Sequence, residues 1–173
     1  MTTKDLILKF HQSRDVKFYT NYVIQNPNQI GEIISLIEKK EKYPFSEYGS
    51  WLLTHIVKLE PSLILPFEKQ LVEIILNEIE NQSVLRNCTN VLLLIPSITY
   101  KESELMDRLI SFIKNSENKV ALQVYSMYNL IEFVRKYPEL KTEITSIVEM
   151  YFQERTAAYK AGVNKFLNRI KNF

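Results

Sequence analysis

The strongest constraint on the fold is a short pattern that returns at an interval near forty residues. A bulky apolar residue is followed by a polar one, two spacers, a small residue and, four positions later, a Leu. Phe45, Ser46, Gly49 and Leu53 form the first copy, and Leu85, Arg86, Thr89 and Leu93 the second. Leu122, Gln123, Ser126 and Leu130 form the third, and Tyr159, Lys160, Val163 and Leu167 the fourth. The small positions lie 40, 37 and 37 residues apart. Self-similarity at this period marks stacked helical hairpins, each burying the apolar flank of its neighbour. A small residue on a helix face lets a second helix approach closely, while bulky flanking residues fill the gaps. Val163 departs from the rule, but Gly162 stands beside it, and a terminal unit has a neighbour on one side only.

A first helix precedes each copy. Ile30, Ile33, Ile34 and Ile37 follow Pro27 at helical spacing, and Leu63, Phe67, Leu71, Ile74 and Ile75 follow Pro61. Leu105, Leu109, Phe112 and Ile113 follow Ser103, a predicted N-cap, and Leu140, Ile144, Ile147, Val148 and Tyr151 follow Pro138. Only three Gly occur, Gly31, Gly49 and Gly162, which disfavours β-hairpins. The six Pro sit mostly at apparent helix starts, where a missing N–H costs nothing. The expectation is an all-α single domain over 1–173. It has an N-terminal helical cap over 1–26 and units near 27–60, 61–98, 99–137 and 138–173, with Pro96 to Glu102 as the longest inter-helix loop.

At 173 residues the chain can bury a core without disulfide or metal staples. Its net charge of +2 does not by itself imply nucleic acid. From Arg155 onward, however, there are five basic residues (Arg155, Lys160, Lys165, Arg169 and Lys171) and no acidic one. A solvated outer helix face explains them, with cations favourably near the C-terminal end of its dipole; an anion-binding patch is the alternative. The lone Cys88 cannot form an intramolecular disulfide and fits a reducing compartment. Met1 to Phe10 lacks a signal-peptide core, and the longest apolar runs, such as Val91 to Ile95, are too short to span a bilayer. A cytoplasmic location away from the membrane is the expectation.

Chemistry is hard to find in this sequence. His11 and His55 are the only histidines, and neither has a second His or Cys at ligand spacing. His55 falls four residues after Trp51 and shares its helix face. Cys88 sits in an apolar stretch, a setting for an inert buried thiol. There is no Gly-rich phosphate loop, Gly-x-Ser-x-Gly elbow or paired-carboxylate motif. Glu38 with Lys42 and Glu132 with Lys136 read as exposed i, i+4 pairs. The chain is therefore expected to be non-enzymatic, with no cofactor and no metal.

The stretch Leu85-Arg86-Asn87-Cys88-Thr89-Asn90-Val91-Leu92-Leu93 resembles the second helix of HEAT repeats, whose signature is of the Val-Arg-x-x-Ala-x-x-Ala-Leu type. The resemblance covers roughly 27–173. It implies a right-handed α-α superhelix of about four HEAT-like helical hairpins with an N-terminal helical cap. The C-terminal third, through Lys119-Val120-Ala121, Tyr125-Ser126-Met127, Pro138-Glu139-Leu140 and Thr156-Ala157-Ala158-Tyr159-Lys160-Ala161, is similar to a small bacterial family of HEAT-like proteins. Some of its members carry the name adenylosuccinate lyase. The lyase superfamily uses a Gly-Ser-Ser-x-Met-Pro-x-Lys loop that does not occur in this sequence, so lyase activity is not expected.

HEAT arrays generally bind on the face lined by second helices. Positions three before and one after the small residue share a side of those helices: Ser46 and Ser50, Arg86 and Asn90, Gln123 and Met127, Lys160 and Asn164. Arg86, Asn90, Gln123, Tyr128, Lys160 and Asn164 are accordingly the candidate binding residues. A structural reading of Arg86 pairs it with Glu78 or Glu80. Among the C-terminal aromatics (Tyr125, Tyr128, Tyr151, Phe152 and Tyr159), any exposed beside Lys160 and Lys165 would suit a partner peptide. A protein or peptide partner is the leading expectation. Nucleic acid is the alternative, by likeness to HEAT-like DNA glycosylases, although no residue here matches their catalytic Asp.

Overall fold

Side chains that can cap a helix open four of the helices. Thr2 Oγ1 accepts the Asp5 N–H while the Asp5 carboxylate accepts the Thr2 N–H, a reciprocal box that starts α1 (Thr3–Ser13). Arg14 ends that helix in the left-handed region at φ 58°, and Asp15 immediately caps α2 (Val16–Gln25). Pro27 precedes α3 (Asn28–Glu38) and Pro44 precedes α4 (Phe45–Leu59), both without a side-chain cap. α5 spans Glu68–Asn77, and Asn81 caps α6 (Gln82–Leu92). α7 (Glu102–Lys114), α8 (Val120–Lys136), α9 (Lys141–Glu149) and the Thr156-capped α10 (Ala157–Ile170) follow.

The structure is a computed structural model that describes residues 1–78, 80–150 and 152–173. Among these residues the regular structure is ten α-helices and four short 3₁₀ turns, with no strand. Tyr151, the last residue of the fourth predicted stripe, lies outside the described residues. The chain divides into two compact units, Met1–Tyr100 and Lys101–Phe173.

In the N-terminal unit the hairpins α3/α4 and α5/α6 follow the α1/α2 pair, and α4 packs against α1, α2, α3 and α6. Its core is strongly aromatic. Phe10 stacks on Trp51 at 5.0 Å between ring centroids and meets Tyr19 and Tyr48 at 5.6 and 5.9 Å. The predicted stripe Ile30, Ile33, Ile34 and Ile37 is buried on α3. In the C-terminal unit α7/α8 and α9/α10 form the hairpins, and α8 packs against α7, α9 and α10. Leu105, Leu109, Phe112 and Ile113 supply the buried face of α7.

Four local expectations are corrected. Leu63 and Phe67 lie in the 3₁₀ turns Pro61–Leu63 and Leu65–Phe67 rather than in the following helix, because Pro66, five residues into the predicted helix, lacks the N–H that an α-helix there would need. Ser103 is inside α7; Lys101, left-handed at φ 47°, precedes the helix, and Glu102 and Glu104 suit the positive end of its dipole. α3 ends at Glu38, so Lys42 is not its helical neighbour. Glu132 pairs with Arg135 at 2.9 Å, while Lys136 reaches Glu102 at 2.5 Å.

Candidate functional site

The second helices pack side by side, α4 on α6 and α8 on α10, and this decides where the predicted binding residues fall. Between α4 and α6 the central residue is Asn87. Its amide nitrogen donates to Ser50 Oγ at 3.1 Å and to the Glu47 carbonyl at 3.4 Å. Its Oδ1 accepts from Arg86 Nε and Nη2 at 3.3 and 3.2 Å. The Arg86 guanidinium therefore holds an adjacent amide in place, where the sequence suggested a carboxylate of Glu78 or Glu80. Glu78 instead accepts the backbone N–H groups of Glu80 and Asn81, and the Asn81 amide donates to Glu47 at 2.8 Å. Asn90, one turn along from Arg86, is half-buried.

The C-terminal unit holds the other four candidates. Gln123 is only 1% exposed, and its amide nitrogen donates to the carbonyls of Asn115 and Asn118 at 3.0 and 2.9 Å. Met127 is also buried, as are Ser46 and Ser50 in the N-terminal unit. Of the eight positions predicted to share that side of the second helices, Ser46, Ser50, Gln123 and Met127 are therefore buried. Positions three before and one after the small residue share a helix face, but much of that face is covered by the adjacent helices. Gly162, beside the predicted small position, is a tight contact of α10 with α8. A Cβ there would lie 2.7 Å from Val124 Cγ2.

Tyr128, Lys160 and Asn164 do reach the surface to different extents. Asn164 is exposed on α10, whereas Tyr128 and Lys160 are half-buried. Lys165 Nζ stands 5.0 Å over the Tyr128 ring, and Lys160 Nζ stands 5.6 Å over Phe152 while donating to the Gln153 carbonyl at 3.0 Å. Burial raises the Tyr128 phenol above its ordinary pKa, opposed by the charge of Arg169. Cation–π placement of this kind keeps both rings covered by ammonium groups that still reach water.

A feature that the sequence did not reveal is a pocket of about 410 Å³ lined by Ser116, Val120, Gln123, Glu154, Arg155, Thr156 and Tyr159. Arg155 lies over the Tyr159 ring at 4.9 Å, and its Nη2 donates to the Ile113 carbonyl at 3.3 Å. The Tyr159 hydroxyl donates to the Val148 carbonyl at 3.0 Å, and burial raises its pKa. Two buried polar atoms on these lining residues, Arg155 Nε and Gln123 Oε1, have no hydrogen-bond partner. The usable signal in the sequence was the Arg155-Thr156 pair, a cation directly before an N-cap.

The thiol and the two imidazoles have structural surroundings. Cys88 is fully buried in α6 and its thiol is pushed up to about 12, first by burial and then by Glu78, so the nucleophilic thiolate is suppressed at neutral pH. His55 sits edge-on to Trp51 at 5.5 Å, with its Nε2 buried and unpartnered. Burial and the nearby Lys58 keep its pKa below the ordinary value. His11 Nε2 and the Tyr43 hydroxyl are hydrogen-bonded at 2.9 Å. Among the described residues there is no group of three or more His, Cys, Asp or Glu able to hold a metal, and no helix long and apolar enough to cross a membrane.

Neither a curated protein nor a solved structure matches the chain, so no comparison connects it with adenylosuccinate lyase. The HEAT repeat domain family model does match, over residues 3–172. With hairpins packed second helix against second helix within each unit, and a family match spanning nearly the whole length, the chain belongs to the HEAT repeat domain family and is a helical-repeat scaffold.

Proposed function

We propose that this scaffold is a non-catalytic adaptor that docks an acidic protein or peptide segment on the exposed side of α8 and α10. The observation that carries this reading is the charge of the last helix region: five basic residues from Arg155 to Lys171 and no acidic one. Two of those lysines are placed over aromatic rings, at Tyr128 and Phe152. Aromatic rings beside cations are the composition of binding hot spots, and complementary charge raises association rate and selectivity. Asn164, on the same helix, adds an uncommitted amide at the surface. Arg86 and Asn87 do structural work between α4 and α6 in this reading, and they are not expected to touch the partner.

The test is affinity capture with the wild-type chain and with Lys160→Glu/Lys165→Glu. Loss of a captured acidic partner on charge reversal is expected, with Arg86→Met retaining it. Identical capture by wild type and the charge-reversed chain would sink the reading. The same basic stretch also favours the second reading, a nucleic-acid binder. That reading requires mobility shifts with single- or double-stranded DNA or RNA at low salt that weaken steeply as salt rises.

A further inference from the structure

The cations of the C-terminal unit differ in how far the fold has already used them. Lys136 is paired with Glu102, Arg135 with Glu132, and Lys141 donates to the Phe173 carbonyl. Arg155 Nη2 donates to the Ile113 carbonyl and Lys160 Nζ to the Gln153 carbonyl. Lys165 and Arg169 stand apart. Both are exposed on α10, and among the described residues neither has a carboxylate or carbonyl partner. They are four residues apart, so they share one side of the helix.

Both meet Tyr128 of α8. Lys165 Nζ lies 5.0 Å over its ring, and the Arg169 charge is near enough to act on its phenol. Tyr125, one turn earlier on α8, brings a second phenol beside the first. The two tyrosines are half-buried. Among the described residues neither hydroxyl makes a hydrogen bond, and neither is one of the buried unpartnered atoms. Burial keeps the Tyr128 phenol protonated, and so a donor, at neutral pH. Glu132, one turn beyond Tyr128, is tied to Arg135 at 2.9 Å. The cluster therefore presents two full positive charges and two hydroxyl donors, with no anion among the described residues to answer them.

We infer that this cluster anchors the docked partner by a phosphorylated side chain, whose oxygens accept from Lys165 Nζ, the Arg169 guanidinium and the Tyr128 hydroxyl. The inference rests on the docking reading and names the group that is held. A phosphomonoester carries about two negative charges at neutral pH and several acceptor oxygens, which matches two cations beside two hydroxyls. A single carboxylate would leave one of those charges unanswered. A nucleic-acid backbone calls for cations spaced along its length. Here the cations that would extend such a track, Arg155 and Lys160, are turned to carbonyls of their own chain.

The test is an NMR titration of the ¹⁵N-labelled full chain with one acidic peptide in three forms, carrying phosphoserine, serine or glutamate at its centre. Inorganic phosphate and a single-stranded oligonucleotide are titrated alongside. The phosphoserine form is expected to shift the Tyr128, Lys165 and Arg169 amides saturably and to bind roughly tenfold tighter than the other two, the value of a charge-assisted hydrogen bond. Lys165→Met and Arg169→Met, both at exposed sites that leave folding intact, should each remove that advantage. Tyr128→Phe, which keeps the ring and loses the hydroxyl, should reduce it about threefold. Equal affinity of the three peptides, phosphate or oligonucleotide binding as tightly as the phosphopeptide, or an advantage that survives Arg169→Met would each overturn the proposal. Charge-sensitive binding of the serine form on α10, with no gain from the phosphoryl group, would leave the docking face standing without this anchor. A phosphoserine advantage lost in Arg169→Met, together with partner capture indifferent to Lys160→Glu/Lys165→Glu, would sink the docking face and keep the site.

Discussion

The two units close the same kind of seam in different ways. Between α4 and α6 the contact is polar: Asn87 bridges to Ser50 and Glu47, and Arg86 steadies its other end. Between α8 and α10 the contact is steric, with bare Gly162 set against the branched side chain of Val124. On the later helix of each seam, Asn87 stands two residues before the small position Thr89 and Gly162 one residue before Val163, so neighbouring repeat positions carry the two solutions. A buried amide specifies register through hydrogen bonds that a slipped helix would lose. A glycine contact specifies distance only. The lesson is that one repeat signature fixes how often helices pair and leaves the chemistry of the pairing open.

The sharpest way to break this comparison is to remove each device in turn and follow unfolding by denaturant titration. Asn87→Ala removes the amide bond to Ser50 Oγ and the acceptor of the Arg86 guanidinium, while Ser50 Oγ keeps its own bond to the Glu47 carbonyl, and should cost roughly 1–2 kcal/mol. Gly162→Ala adds a methyl 2.7 Å from Val124 Cγ2, and a valine in a helix has little rotamer freedom with which to yield. Overpacking of about 1–3 kcal/mol outweighs the gain of about 1 kcal/mol from replacing a helical glycine, so the net effect is destabilising by roughly 1 kcal/mol. Adding Val124→Ala should restore much of that loss. A double variant no more stable than Gly162→Ala would show that the glycine is not there for close approach.

The smallest effect depends on pH and belongs to the C-terminal unit. Hydrogen bonds from Lys136, and then from Tyr137, hold the Glu102 carboxyl below its ordinary value of 4.5. A group depressed in the folded state contributes stability above its unfolded value and loses it as pH falls through the folded value. Acid unfolding of the C-terminal unit should therefore show a small loss beginning below about pH 4.5 that shrinks in Lys136→Met, where only the Tyr137 hydrogen bond remains. The effect is small because both groups lie near solvent.

The helical-hairpin order was legible in the sequence, because isoleucine stripes such as Ile30 to Ile37 and the spaced small residues obey the helix period wherever the helix sits. The solvent side of the second helices was less legible. Helical spacing places Ser50, Gln123 and Met127 on one side of a helix, but it does not say whether water or a neighbouring element covers that side. In the structure all three are buried. The pocket was out of reach for another reason: Ser116, Gln123 and Arg155 come from two hairpins and meet only through tertiary packing. The sequence drew attention to the C-terminal aromatics; among the described residues a ring cluster of Phe10, Tyr19, Tyr48 and Trp51, contributed by α1, α2 and α4, stands in the N-terminal unit.

Where a partner touches the chain decides whether the basic C-terminal helix or the α4–α6 side is the docking surface. The most direct measurement is an amide chemical-shift map of the labelled full chain titrated with a Glu-rich peptide. Perturbations concentrated on Arg155 to Arg169 and the Tyr128 side of α8, with Ser50, Arg86 and Asn87 unmoved, are the predicted result. Perturbations centred on Arg86 and Asn90, with α10 silent, would contradict it.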